Sequence, residues 1–193
     1  MNPLEIALAV GKALASIGVE YFLGGSMASS VHGEPRLTQD LDFVVLLRVS
    51  DIAPLKAALG PDFEVDEEAL GDAVRRKGSW NIFHLPTVTR VDLFILKEGE
   101  YDAEEFLRKR PFQVLPGQQL FLKSPEDSVL RKLLWFRQGG EQSAQQFRDV
   151  VNVLRVQGAA LDVAYLDTWA RKLDLVELLA RARAAAQGTQ GAV

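Results

Sequence analysis

The chain has no cysteine and only two histidines in 193 residues. The first absence removes disulfides, thiolate zinc sites and cysteine nucleophiles together. Neither His32 nor His84 has another histidine at ligand spacing. His32, just before Gly33, reads as a helix-end residue, and His84 as a strand-face residue. Long apolar runs are also missing: stretches such as residues 43–47 are strand-sized and bounded by charges. The first 17 residues carry Glu5 and Lys12 and no basic lead-in, so they resemble neither a secretory leader nor a membrane span, and a cytoplasmic protein is expected. Nor is there a basic stripe. The chain has 22 basic and 26 acidic side chains, a net charge of −4, which argues against a broad nucleic-acid footprint. Internal repeats and low-complexity tracts are absent.

What remains is 48% apolar and 25% charged, the composition of a globular protein that buries roughly 70% of its unfolded surface. The charge is split along the chain. Residues 1–99 hold 14 acidic and 9 basic side chains, whereas residues 100–193 hold 12 and 13.

The spacing of Leu4, Leu8, Val10, Leu14 and Ile17 predicts an opening helix that Gly18 can end in a left-handed turn. Tyr21-Phe22-Leu23 reads as a short strand stopped by Gly24-Gly25. Ser26 is then placed to cap a helix through Val31, closed by Gly33 and Pro35. A buried strand is expected over residues 42–47, and a helix over 52–59 capped by Ser50 or Asp51. Residues 62–72 read as irregular or as strand and loop. Residues 80–85 and 88–96 form a β-hairpin about Pro86-Thr87. At Ser124-Pro125-Glu126-Asp127 the character changes to a helix start, with proline at the first helical position and acids in the first turn. Helices are expected near 126–137, 143–156, 162–173 and 175–186. The reading is an α/β (α+β) core with a mixed sheet over residues 1–122, a C-terminal helical bundle over 123–187, and a frayed tail over 188–193.

Chemistry enters at Asp40-Leu41-Asp42, because side chains at i and i+2 of a strand share a face and two carboxylates there can hold a divalent cation. Alone the pair says little, since 13 aspartates in this length give about one such spacing by chance. Gly24-Gly25-Ser26 is rarer, with roughly 0.05 chance occurrences. It sits between a strand and a helix, where free N–H groups and a hydroxyl suit a phosphate. It can equally be a strand-to-helix turn with a serine cap. Asp92, inside Arg90-Val91-Asp92-Leu93-Phe94, is a carboxylate in an apolar strand, costly unless paired or metal-bound. If its strand lies beside that of Asp42, three carboxylates converge and call for Mg²⁺, usually two ions shared with a triphosphate.

Taken together, Gly25-Ser26, Asp40-x-Asp42 and Asp92 resemble the signature of the nucleotidyltransferase superfamily typified by polymerase beta. The segment Tyr21-Phe22-Leu23-Gly24-Gly25-Ser26-Met27-Ala28, followed by His32-Gly33, Arg36, Thr38 and Asp40-Leu41-Asp42-Phe43, looks most like the AbiEii-type branch of toxin-like nucleotidyltransferases. The resemblance covers roughly residues 20–96 and extends more loosely into the helical part. It implies Mg²⁺-dependent transfer of a nucleoside monophosphate from an NTP to an acceptor hydroxyl on RNA such as tRNA, on protein or on a small molecule. Asp40 and Asp42 would hold two Mg²⁺ ions, with Asp92 as third ligand or activating the hydroxyl. Gly24, Gly25 and Ser26 would cradle the outer phosphates, while Arg36 and Thr38 would contact phosphate or orient Asp40. The branch also uses an Asp-x-Lys-like helix and a later aspartate, matched here by Asp127 with Arg131-Lys132 and by Arg148-Asp149, with Lys132 as the nucleotide-binding cation. An antitoxin partner is implied too. The competing readings are a non-catalytic nucleotide-binding or interaction protein that keeps the fold, and an enzyme that adenylylates a small molecule such as an antibiotic. Arg75-Arg76-Lys77 and Arg108-Lys109-Arg110 are either solvated surface or contacts to an RNA acceptor.

Overall fold

The computed structural model describes residues 1–36, 38 and 40–188; of the frayed tail expected over 188–193, Gly188 instead ends a helix and 189–193 lie outside the described residues. The chain forms two units: Met1–Met27 with Leu37–Lys123, and Ala28–Arg36 with Ser124–Val193.

The first unit is an α+β sheet unit. Its opening helix α1 (Pro3–Ser16) carries a full capping box: the Asn2 side chain accepts from Glu5 N–H, and the Glu5 carboxylate accepts from Asn2 N–H. Gly18 follows it with φ +71°, the left-handed ending expected from sequence. Ile6, Ala7, Val10, Gly11 and Leu14 face the core. Gly11 lets the helix lie tight on the sheet, because a Cβ there would stand 2.4 Å from the Tyr21 hydroxyl and 2.8 Å from Leu120.

Among the described residues the sheet has seven strands, in the order β3-β4-β5-β2-β1-β7-β6. They are β1 (Tyr21–Leu23), β2 (Leu41–Val45), β3 (Phe63–Glu64), β4 (Ser79–His84), β5 (Thr89–Ile95), β6 (Arg110–Leu115) and β7 (Gln118–Leu122). Pairing is mixed. β2 runs antiparallel to β1 but parallel to β5, while β4–β5 and β6–β7 are antiparallel hairpins. Alternation explains β2: Leu41, Phe43 and Val45 are buried, and Asp42 and Val44 are half-buried. Phe22, Phe43, Leu55, Leu70, Ile82, Leu93, Leu120 and Leu122 are fully buried among the core side chains. Each contributes roughly 1.5–3 kcal/mol by burial.

Two local expectations change. The stretch 62–72 holds the helix α4 (Glu67–Arg75) after β3. Asp66 caps it by accepting from Ala69 N–H, Glu67 and Glu68 complement its dipole, and Leu70, Ala73 and Val74 bury its inner face. The second helix, α2 (Gly25–His32), begins at Gly25, so Ser26 stands within its first turn instead of capping it. The sheet unit also holds α3 (Ile52–Leu59) and α5 (Glu100–Leu107).

The second unit contains α6 (Pro125–Gln138), α7 (Ala144–Gln157), α8 (Val163–Lys172) and α9 (Val176–Gly188), close to the four expected spans. Ser124, Ser143 and Asp162 cap the first three. Helix α7 packs on α6 and α9, and α8 on the same two. Residues 28–36 join this unit through α7: Gln157 donates to the His32 carbonyl at 2.6 Å, and Arg155 pairs with Glu34. No helix among the described residues is long and apolar enough to cross a membrane.

Candidate active site

The sheet unit gathers Gly24, Gly25, Ser26, Thr38, Asp40, Asp42 and Asp92. Parallel pairing of β2 with β5 sets Asp42 directly opposite Asp92, although they are 50 residues apart in sequence. On the other side of β2, the Gly24 N–H donates to the Asp42 carbonyl at 2.8 Å, which holds the glycine turn against this strand. Gly25 has φ +53°, and a Cβ there would lie 1.7 Å from Asp42 Oδ2. The residue must therefore be glycine twice over, for its dihedral and for the carboxylate that occupies the space. Beyond the turn, Ser26 lies in the first turn of α2. Thr38 donates its hydroxyl to the Asp40 carbonyl at 3.5 Å.

Arg90 organises the acidic pair at the start of the strands. Its Nη2 lies 3.1 Å from Asp92 Oδ2 and 3.4 Å from Asp40 Oδ1. Asp92 is nearly enclosed and Asp40 exposed. Burial pushes the Asp92 carboxyl above its ordinary range, and Asp40 adds to this, while Arg90 pulls the other way. Among the described residues, no three histidine, aspartate or glutamate side chains form a ready metal cage. The donor set itself, carboxylate oxygens on adjoining strands, is nevertheless the kind that Mg²⁺ takes.

Under the glycine turn lies a buried ion pair not foreseen from sequence. Lys123, at the end of β7, reaches Glu105 of α5 at 2.7 Å, with both side chains 4% exposed. The lysine packs beside Gly24 and over the Phe22 ring. A lysine closing an apolar strand was the available signal, but its partner is 18 residues away on another element.

Arg36 and Lys132 lie in the helical unit, where both converge on Asp149. Arg36 donates through Nε and Nη2 at 3.2 and 3.1 Å, Lys132 lies 2.9 Å away, and Gln145 donates at 2.7 Å. Lys132 also donates to Gln146 at 3.0 Å. Burial raises the Asp149 carboxyl, but hydrogen bonds and charge from Arg36 and Lys132 outweigh it and hold the group below its usual range. Asp127 is fully buried, engaged by Ser124 and by the Tyr165 hydroxyl at 2.7 Å. It therefore ties α6 to α8.

A pH dependence follows from Asp149. Its folded-state value lies below that of the unfolded chain, so its stabilisation is complete above about pH 4 and is lost as pH falls through the folded-state value. Asp149→Asn is expected to cost about 3 kcal/mol at pH 7, because it leaves the buried Lys132 and the half-buried Arg36 undercompensated. The deficit should shrink as the pH falls through the folded-state value of Asp149. Urea midpoints for both proteins between pH 7 and pH 2.5 measure this.

No protein-family model and no curated protein matches the chain. Solved structures do. One is an antigenic nucleotidyltransferase-like protein from Paracoccidioides brasiliensis, 19% identical, with a TM-score of 0.53 over 91% of this chain and 90% of that one. Another is the antibiotic-resistance factor ANT(2'')-Ia, 11% identical, with a TM-score of 0.52 over 92% of this chain and 97% of that one. At these identities the likeness shows the fold alone, a mixed α+β sheet unit followed by a C-terminal helical part.

Proposed function

We propose that this chain is a nucleotidyltransferase that moves a nucleoside monophosphate from an NTP to an acceptor hydroxyl. The observation that carries the reading is the register: Asp42 faces Asp92 across parallel strands, with the Gly25 backbone pressed against the Asp42 carboxylate. A coincidental Asp-x-Asp has no need of a left-handed glycine beside it.

Asp40, Asp42 and Asp92 would hold Mg²⁺, which when bound neutralises the triphosphate and the leaving pyrophosphate. Gly25 and Ser26 stand at the start of α2, where backbone N–H groups and a hydroxyl would meet the outer phosphates. Asp92, its carboxyl raised by burial, would orient the acceptor hydroxyl and take its proton as the acceptor oxygen bonds to the α-phosphorus. The bond from that phosphorus to the bridging oxygen breaks, and pyrophosphate leaves. The protein's part is mainly position and charge.

A cavity of about 460 Å³ opens against Asp40 and Arg90, lined also by Pro3, Thr87, Val88 and Thr89. That size suits a small hydroxylated acceptor. RNA or protein acceptors, and the toxin-like role with an antitoxin, rest on the sequence motif alone. The arginine between Asp40 and Asp92 is the feature that favours the second reading, a nucleotide-binding protein without turnover.

Titration calorimetry of each Mg²⁺–NTP, with and without metal, tests the proposal. One nucleotide is expected to bind in a metal-dependent manner. If none of the four binds, the non-catalytic interaction reading replaces it.

A further inference from the structure

We propose that Arg90 is a displaceable counter-cation built into the carboxylate site, holding Asp40 and Asp92 in place until a divalent cation takes over their oxygens. The inference rests on the nucleotidyltransferase reading and adds a positioning residue to it.

The register places Arg90 where such a cation is needed. Arg90 and Asp92 lie two apart on β5 and share a face of the sheet. Arg90 stands one step before the Leu41–Val91 pair, level with Asp40 at the entry to β2. A single nitrogen, Nη2, serves both carboxylates, at 3.1 and 3.4 Å. A shared single-nitrogen contact is weaker than a two-pronged guanidinium–carboxylate pair, which would have been difficult to dislodge.

Exposure sets the direction of exchange. Arg90 is 48% exposed, so its guanidinium can swing into water at little cost. Asp92 is 11% exposed and fixed within the strand, so it stays. Three carboxylates with one arginine leave a net negative site that still draws a divalent ion, yet without the full repulsion that would spread the strands before the ion arrives. The arginine thus preserves the geometry of the metal-free protein and lowers its affinity for free metal. Tight occupancy then depends on nucleotide arriving with the ion.

The probe is Mn²⁺ without nucleotide, titrated into the full-length chain and followed by the electron paramagnetic resonance of the free ion. Arg90→Gln is expected to bind Mn²⁺ about two- to tenfold more tightly than wild type. Arg90→Lys, which keeps the charge, should stay within about twofold of wild type. Asp42→Asn should lose the binding in either background. Asp42-sensitive binding of equal or weaker affinity in Arg90→Gln overturns the counter-cation role while leaving the nucleotidyltransferase reading intact. Absence of any Asp42-sensitive binding in every variant overturns that reading, and the counter-cation role with it.

Discussion

Asp42→Asn is expected to slow nucleotide transfer by about 10³-fold, because it removes a charge from the centre of the proposed metal site, where several kcal/mol of charge stabilisation are concentrated. Asparagine matches aspartate in size, and the Gly24 N–H bond to the residue-42 carbonyl involves only backbone. The fold should therefore survive, with a melting temperature within about 3 °C of wild type. The check pairs release of labelled pyrophosphate with a thermal melt of the same preparation. A variant that melts normally and transfers normally would remove Asp42 from the chemistry.

Gly25→Ala should fail in a different way. The left-handed backbone costs an L-residue about 1–2 kcal/mol, and the new methyl must also displace an oxygen that lies 1.7 Å from its position. A total loss of about 2–4 kcal/mol in stability is expected. Transfer should fall about 10²-fold, since a shift of about 1 Å at a reacting centre costs that much. Gly24→Ala is the control: its φ is not in the left-handed region and its methyl would stand 3.3 Å from Lys123 Cε and 3.5 Å from Phe22 Cε2, without the overlap met at Gly25, so it should be milder. Denaturant melts and rates for the two alanine variants separate a fault of the turn from a general intolerance of side chains.

The features legible in sequence are the local ones. Tyr21-Phe22-Leu23 before two glycines could only be a short strand and a turn. Ser124-Pro125-Glu126-Asp127 announced α6, and the hairpin about Pro86-Thr87 was readable from its flanking runs. Helix α4 was obscured because its apolar residues are few and its acidic start resembles a loop, although those same acids cap and charge its N-terminus. Residues 97–122 show weak alternation, and α5, β6 and β7 depend on packing for their definition.

Within the site, residue types could be read but partners could not. That Asp42 and Asp92 face each other is a property of strand order, which no local pattern encodes. The same holds for Arg90 between two carboxylates and for Lys123 on Glu105. From sequence, Lys132 reads as a cation for the nucleotide, and Arg36 as a contact to phosphate or to Asp40. Their shared engagement with Asp149 became visible only when α7 was placed beside α6 and residues 28–36.

The parallel pairing of β2 with β5 also bears on how the chain would acquire the proposed chemistry. The β4–β5 hairpin closes over a few residues, whereas Asp42 meets Asp92 only after a connection containing two helices and two further strands has closed. Closure entropy grows with the logarithm of loop length, and such non-local contacts are the slow ones in folding. A newly made chain would therefore carry its acidic residues apart until late, with no competent metal site to occupy. Catalytic capacity would then arise in the same event that completes the sheet.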